Sequence, residues 1–196
     1  MPVRDAEPYL GEALGCVLAQ TEADIELIVI DDGSRDGSGD RLVRAAGKDT
    51  RVRLLETSGG ERGIVAALNL GLESARAPLV ARMDADDLCH RARLASLAAT
   101  LEADNGLFAV TSRVDVFPEG GAGDGMRRYI DWQNSLIEPG ELARDRFVES
   151  PLVHPSVMMR TGELRRLGGW RDMGWAEDWD LWLRAMEGGL RIRRLT

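Results

Sequence analysis

Two short apolar runs in this 196-residue chain each stop abruptly on a cluster of aspartates. Ile25-Glu26-Leu27-Ile28-Val29-Ile30 ends at Asp31-Asp32-Gly33-Ser34, and Leu79-Val80-Ala81-Arg82-Met83 ends at Asp84-Ala85-Asp86-Asp87. A short β-branched run bounded by turn residues reads as a buried strand, so both acidic clusters fall at strand ends. Helical signals interleave with the strands. Leu10, Ala13, Leu14, Val17 and Leu18 recur at the spacing of an amphipathic helix. A helix is expected near 38–47, a strand at Val52-Arg53-Leu54-Leu55, and a small-residue helix from about Gly63 to Ala75, ended by Pro78. This alternation predicts an α/β fold with a mostly parallel sheet flanked by helices. In open α/β sheets, ligands bind outside the carboxyl ends of the strands. The aspartates stand where a ligand would be expected.

Further along, the pattern predicts a helix near 91–104 and a strand from Phe108 to Phe117. A glycine-rich loop over 118–126, an amphipathic helix over 127–149 and an extended stretch from Pro151 to Arg160 follow. A helix over 177–187 and a closing strand from Leu190 to Leu195 complete the reading.

Hydrophobic residues make up 44 % of the chain and charged residues 30 %, enough for a real core in an ordinary globular domain. The net charge of −8 argues against nucleic acid as a partner, which would want a basic face. Cys16 and Cys89 lie far apart in the sequence and give neither metal-ligand spacing nor a disulfide framework. They read as buried, reduced thiols of a cytoplasmic protein. No apolar run approaches the roughly 18 residues of a membrane span, and Met1-Pro2-Val3-Arg4-Asp5 lacks a signal-peptide core. Peripheral attachment to an inner membrane stays compatible with this.

Three acidic clusters carry the chemistry. Asp84, Asp86 and Asp87 put three carboxylates in four residues. Two unit charges 4 Å apart repel by about 1 kcal/mol even in water. Such crowding suits a hard dication, Mg²⁺ or Mn²⁺, and equally suits a solvated turn that caps the next helix. Asp31-Asp32-Gly33-Ser34 reads as plain turn chemistry or as a carboxylate that accepts hydrogen bonds from a nucleotide. A calcium loop counted from Asp32 through Ser34, Asp36, Gly37 and Asp40 fails at Val43, where glutamate is needed. The third cluster is Trp175-Ala176-Glu177-Asp178-Trp179-Asp180-Leu181-Trp182. On a helix Asp178 shares its stripe with Leu181, Trp182, Ala185 and Met186, so it points inward at a helix start. It reads as a helix cap or as a general base.

Together these runs resemble a family. Ile28-Val29-Ile30-Asp31-Asp32-Gly33-Ser34, Ala67-Leu68-Asn69-x-Gly71, Ala81-Arg82-Met83-Asp84-Ala85-Asp86-Asp87 and Glu177-Asp178-x-Asp180-Leu181-Trp182-Leu183-Arg184 resemble, in order and spacing, the family 2 glycosyltransferases of GT-A fold. His154-Pro155-Ser156-Val157-Met158 is similar to a segment of a bacterial subgroup. The resemblance implies a Rossmann-like GT-A domain, with a nucleotide-sugar half over 1–117 and a smaller acceptor and catalytic-base half over 118–196. It implies an inverting transfer from a nucleotide-diphosphate sugar to a saccharide or lipid-linked saccharide, in envelope or exopolysaccharide synthesis. Asp31, Asp32, Asp84, Asn69 and Arg62 would contact the donor, and Asp84 and Asp86 would hold Mn²⁺ or Mg²⁺. Asp178, with Glu177, would act on the acceptor hydroxyl, and His154, Asp87 and Trp175 would line the site. Arg82 reads chiefly as a charge balance for the acidic cluster, and Trp182 as core.

The chain departs from that pattern in places. It starts after the expected first strand, with Asp5 where asparagine is common, and Arg91 stands where proline is usual. The sequence therefore also admits a non-catalytic sugar-nucleotide binder.

Overall fold

The computed structural model describes residues 1–58, 63–118 and 120–195. Strands β1 (Pro2–Val3), β2 (Leu27–Asp31) and β3 (Val52–Glu56) form a wholly parallel sheet in the order β1-β2-β3. Helix α1 (Glu7–Leu18) crosses from β1 to β2, and α2 (Ser38–Lys48) from β2 to β3. The stripe read from the sequence is the one that packs. Leu10, Ala13, Leu14 and Val17 are buried on α1, against Val3, Val29 and Leu42. Burying an aliphatic side chain of this size stabilises by roughly 1.5–3 kcal/mol.

A second sheet, in the order β4-β6-β5-β7, is built from β4 (Leu79–Ala81), β5 (Leu107–Thr111), β6 (Val157–Arg160) and β7 (Arg191–Arg194). Strand β6 runs antiparallel to both of its neighbours, and β5 pairs β7 in parallel. Strands from both sides of residue 117 thus share one sheet. Helix α3 (Ile64–Ser74) precedes β4 and α4 (Arg93–Ala103) follows it. Helices α5 (Asp124–Ser135), α6 (Pro139–Asp145), α7 (Thr161–Arg166) and α8 (Glu177–Glu187) complete the chain. On α8, Leu181, Trp182 and Ala185 are buried in a core with Phe108, Leu142 and Leu152, which fixes the helix and the acidic turn at its start.

The α/β class and the strand-end aspartates match the sequence reading; several boundaries do not. The helix expected over 127–149 breaks in two. Pro139 opens α6 at a position that needs no N–H, and Glu138 and Glu141 form a reciprocal capping box. Strand β5 stops at Thr111, where its pairing to Val157 and Arg194 ends, six residues short of the expected Phe117. Helix α7 was not expected; it follows β6 directly and buries Leu164.

The expectation that the chain starts beyond the first strand is corrected in part. Pro2 and Val3 pair in parallel with Ile30 and Asp31. Beyond those two residues β1 does not bridge to β4. A cavity of about 680 Å³ is lined by Met1, Ile28 and Ile30 and by Leu79, Val80 and Met158. The Met1 amino group donates to Ile28 O at 2.9 Å, and burial brings its pKa down to about 5.

Candidate functional site

The carboxyl end of β2 supplies Asp31 and Asp32. Asp31 closes its turn locally, its Oδ1 accepting the N–H of Ser34 at 2.9 Å. Asp32, only 5 % exposed, points the other way. Its carboxylate accepts Thr57 Oγ1 at 2.8 Å and the Gly63 N–H at 3.0 and 3.1 Å, with Arg4 Nη1 at 3.4 Å. Gly63 has φ +104°, a conformation that side-chain-bearing residues rarely adopt, and it caps α3. The calcium-loop alternative does not match these contacts. Asp36 instead accepts the N–H of Ser38 at 2.8 Å, at the start of α2, and that of Glu7 at 3.0 Å.

The end of β4 supplies Arg82 and the second cluster. Arg82 is 6 % exposed, and its Nη1 donates to Asp84 Oδ1. Its Nε finds no partner among the described residues. The charge-balancing reading of Arg82 therefore holds for Asp84. Asp86 is exposed and Asp87 half-buried. Burial, followed by the charges of Asp84 and Asp86, pushes Asp87 up to about 6. A buried arginine on α4 sets the geometry of this turn. Arg93 Nη2 donates to Arg82 O at 2.8 Å and to Pro155 O at 2.6 Å, tying the acidic strand end to the segment that carries His154.

Asp32, Asp84 and Asp86 line one cavity of about 350 Å³, together with Arg4, Tyr9 and Gly63. Carboxylates more than fifty positions apart in sequence thus converge at the ends of β2 and β4. Among the described residues, no group of three or more His, Cys, Asp or Glu side chains could hold a metal ion by itself. Asp84 and Asp86 line the cavity from the same turn. Their hard oxygens suit Mg²⁺ or Mn²⁺, ions that usually take only one or two carboxylates and complete their shell with water and substrate phosphates.

The start of α8 forms a second group. Glu177 Oε1 lies 3.4 Å from His154 Nδ1, and this bond leads in holding the Glu177 carboxyl below its usual range. The indole Nε1 of Trp170 donates to His154 Nε2 at 3.0 Å. The Asn69 amide in turn holds the Trp170 backbone, Oδ1 accepting its N–H at 3.0 Å and Nδ2 donating to its carbonyl at 2.8 Å. Gly169, at φ +66°, makes this approach feasible, since a Cβ there would collide with the Asn69 amide oxygen. A continuous polar chain, Asn69–Trp170–His154–Glu177, therefore runs from α3 to α8. Asp178, beside Glu177, meets Ser150 Oγ at 3.5 Å, and burial raises its pKa. Arg82, which pairs Asp84, is among the lesser causes that lower the His154 and Glu177 pKa values.

Of the residues singled out in the sequence, the cavity gathers Asp32, Asp84 and Asp86, flanked along the chain by Asp31 and Asp87. Glu177, Asp178 and His154 assemble separately, and Asn69 belongs to their supporting chain. Trp175 is exposed and stacks edge-on against Trp179, and Trp182 is fully buried. Arg62 lies outside the described residues. Both cysteines are free thiols, as the sequence reading had them, but its burial is corrected: both are partly accessible, and their sulfurs sit 3.3 Å apart. Thr57, Gly63 and Arg93 escaped the sequence reading. Their partners lie 25, 31 and 62 positions away, with no local signal to mark them.

The family model Glycosyl transferase family 2 matches residues 1–168. The chain is 34 % identical over 196 residues to the putative glycosyltransferase EpsE of Bacillus subtilis, covering 97 % of this chain and 66 % of that one. It is 26 % identical to the Escherichia coli UDP-Gal:alpha-D-GlcNAc-diphosphoundecaprenol beta-1,3-galactosyltransferase, covering 95 % of this chain and 66 % of that one. Among solved structures, the mannosyltransferase PcManGT from Pyrobaculum calidifontis, in complex with GDP-Man and Mn²⁺, superposes with a TM-score of 0.72 at 24 % identity. It covers all of this chain and 53 % of its own. Residues 1–349 of S. aureus TarS, in complex with UDP-GlcNAc, superpose with a TM-score of 0.79 at 19 % identity, covering all of this chain and 54 % of that one. These likenesses give the chain the GT-A fold. The chain spans just under two thirds of the two curated relatives and just over half of the two solved chains.

Proposed function

The chain belongs to glycosyl transferase family 2, and on that premise we propose that it is a metal-dependent, inverting glycosyltransferase using a nucleoside-diphosphate sugar. The observation that supports this most is the single cavity lined by Asp32, Asp84 and Asp86 at two strand ends. In this reading Asp32, oriented by Thr57 and Gly63, accepts hydrogen bonds from the base or ribose. Asp84 and Asp86 hold the dication, which supplies the positive charge that a departing diphosphate needs. Arg82 pairs with Asp84 at the lining of the cavity.

The two carboxylates at the start of α8 have different environments, and this divides their roles. Glu177 is committed to His154, and its proton affinity is lowered. Asp178 is raised by burial, which makes it the stronger base of the two. Asp178 takes the proton of the acceptor hydroxyl. The resulting nucleophile attacks the anomeric carbon from the face opposite the diphosphate and inverts it. Glu177 and His154 position this turn.

The acceptor we propose is a saccharide or lipid-linked saccharide in envelope or exopolysaccharide synthesis. The E. coli relative, whose printed name carries a diphosphoundecaprenol-linked sugar, motivates that choice. The Mn²⁺ in the PcManGT complex motivates Mn²⁺ or Mg²⁺. Among the described residues no helix is long and apolar enough to cross a membrane.

The test is release of sugar or nucleotide from a panel of UDP- and GDP-sugars with Mn²⁺ or Mg²⁺. Metal-dependent turnover of at least one donor is expected. Binding without turnover of any donor would favour a sugar-nucleotide binder instead.

A further inference from the structure

Cys16 stands near the end of α1, and Cys89 stands two residues beyond Asp87, in the segment that leads from the acidic turn to α4. Their sulfurs are in contact at 3.3 Å although 73 positions separate them in sequence. Both are partly accessible, and the residues flanking Cys89, Leu88 and His90, are exposed, so small reagents reach the pair.

The surroundings polarise the two thiols unequally. The two sulfurs meet at 3.3 Å, a contact in which either thiol can donate; Cys16 Sγ also accepts the Cys89 backbone N–H at 3.4 Å, and its S–H, when present, can donate to Ala13 O at 3.1 Å. The bond from Cys89 leads in bringing the Cys16 thiol down to about 6, with the buried Arg93 guanidinium adding to it. That same bond, with burial, pushes Cys89 up. Two sulfurs in contact, one of them with its thiol pKa lowered, are the arrangement of a reactive dithiol. The Gln20 side chain holds the pair together. Its Nε2 lies 3.2 Å from Cys16 O, 3.3 Å from Cys89 Sγ and 2.9 Å from His90 O, while its Oε1 accepts the Leu94 N–H at 2.9 Å.

From this geometry we propose that Cys16 and Cys89 form a reversible dithiol–disulfide site, oxidised by peroxides, that fastens the segment after the acidic turn to α1. The Cys16 thiolate attacks one oxygen of hydrogen peroxide. The O–O bond breaks, leaving a sulfenic acid on Cys16 and a hydroxide that is protonated to water. The Cys89 sulfur then attacks the Cys16 sulfur. The S–O bond breaks, and the departing hydroxide leaves as water with the Cys89 proton. The two thiols lose two protons and two electrons, and the peroxide becomes two waters. A small dithiol reverses the step and is itself oxidised to a cyclic disulfide. Closing the bond needs the sulfurs to approach from 3.3 Å to roughly 2.05 Å, a movement within the reach of side-chain rotation. The inference stands independently of the proposed transferase reaction.

The experiment treats the full chain with hydrogen peroxide at neutral pH, then reads thiol content, intact mass and thermal midpoint before and after dithiothreitol. Both titratable thiols are expected to disappear together. The mass should fall by two hydrogens without dimer formation, peptide mapping should find a Cys16–Cys89 link, and the midpoint should rise. Dithiothreitol should restore every reading. Cys16→Ser and Cys89→Ser should each abolish the intramolecular link. Because the wild-type measurement stands alone, poor folding of either variant leaves the test intact. Two thiols still titratable in folded, peroxide-treated protein would overturn the proposal, as would a mass gain from stable oxygen adducts or linkage only between chains.

Discussion

The imidazole Nε2 of His154 accepts the indole N–H of Trp170 at 3.0 Å, and this fixes the protonation of a buried histidine. An indole nitrogen can only donate, so Nε2 carries no proton and Nδ1–H faces Glu177. Burial, the leading cause, lowers the His154 pKa below 6.5, against the opposing pull of Glu177 and Asp178. The neutral ring is thus part of the folded state.

That neutrality is measurable, because the chain has only two histidines. In an NMR titration the His154 ring resonance, assigned by its loss in His154→Asn, should show a midpoint below 6.5. A base whose folded pKa lies below its unfolded value contributes stability that is full above pH 6.5 and is lost as pH falls through the folded value. A midpoint at or above 6.5 would contradict the tautomer assignment.

Asn69→Ala should destabilise the fold by roughly 1–3 kcal/mol, because it leaves the Trp170 N–H and carbonyl without their partner. Urea unfolding should show a lower midpoint at unchanged slope. Nucleotide affinity is expected to change little, since the Asn69 amide is spent on the Trp170 backbone and lies outside the cavity lining. A variant as stable as wild type but much weaker for nucleotide would return Asn69 to the donor site.

The sequence carried much of this arrangement. The runs at 25–30 and 79–83 located strands β2 and β4, and the aspartates after them located the cavity, because ligands of α/β folds enter at the polar turns where strands end. The stripe Asp178, Leu181, Trp182, Ala185 located the inward face of α8. What stayed hidden depends on long-range packing. No periodicity says that Arg93 spans Arg82 O and Pro155 O, or that Asn69 faces Trp170. Sequence separation likewise misled the reading of Cys16 and Cys89, because crossover α1 and the turn after β4 fold against one another through Gln20. The break at Pro139 was legible in principle, since proline fits the first turn of a helix and disrupts its middle.

Asp178→Asn is expected to remove transfer activity while leaving nucleotide affinity within about threefold, a change under ~0.7 kcal/mol. Glu177→Gln should act less severely, since it disturbs only the support through His154. The check is a comparison of kcat with calorimetric affinity for each variant. Retained turnover in Asp178→Asn would end its assignment as base.

Shortening the α8 core should separate folding from chemistry. Leu181→Ala removes a fully buried side chain and is expected to cost ~2–5 kcal/mol, with a matching fall in thermal midpoint. Nucleotide binding should survive at temperatures where the variant is still folded, because the cavity lies at the ends of β2 and β4. Loss of binding in folded protein would instead place the start of α8 in the nucleotide site.

The most direct measurement is calorimetric titration of UDP and GDP into the full chain, with and without Mn²⁺, for wild type and Asp86→Ala. Wild type should bind at least one diphosphate only when metal is present, and Asp86→Ala should weaken that binding at least about tenfold, or ~1.4 kcal/mol, without lowering the thermal midpoint. Metal-independent binding that is equal in both proteins would contradict the assignment of Asp84 and Asp86 as the metal and diphosphate site.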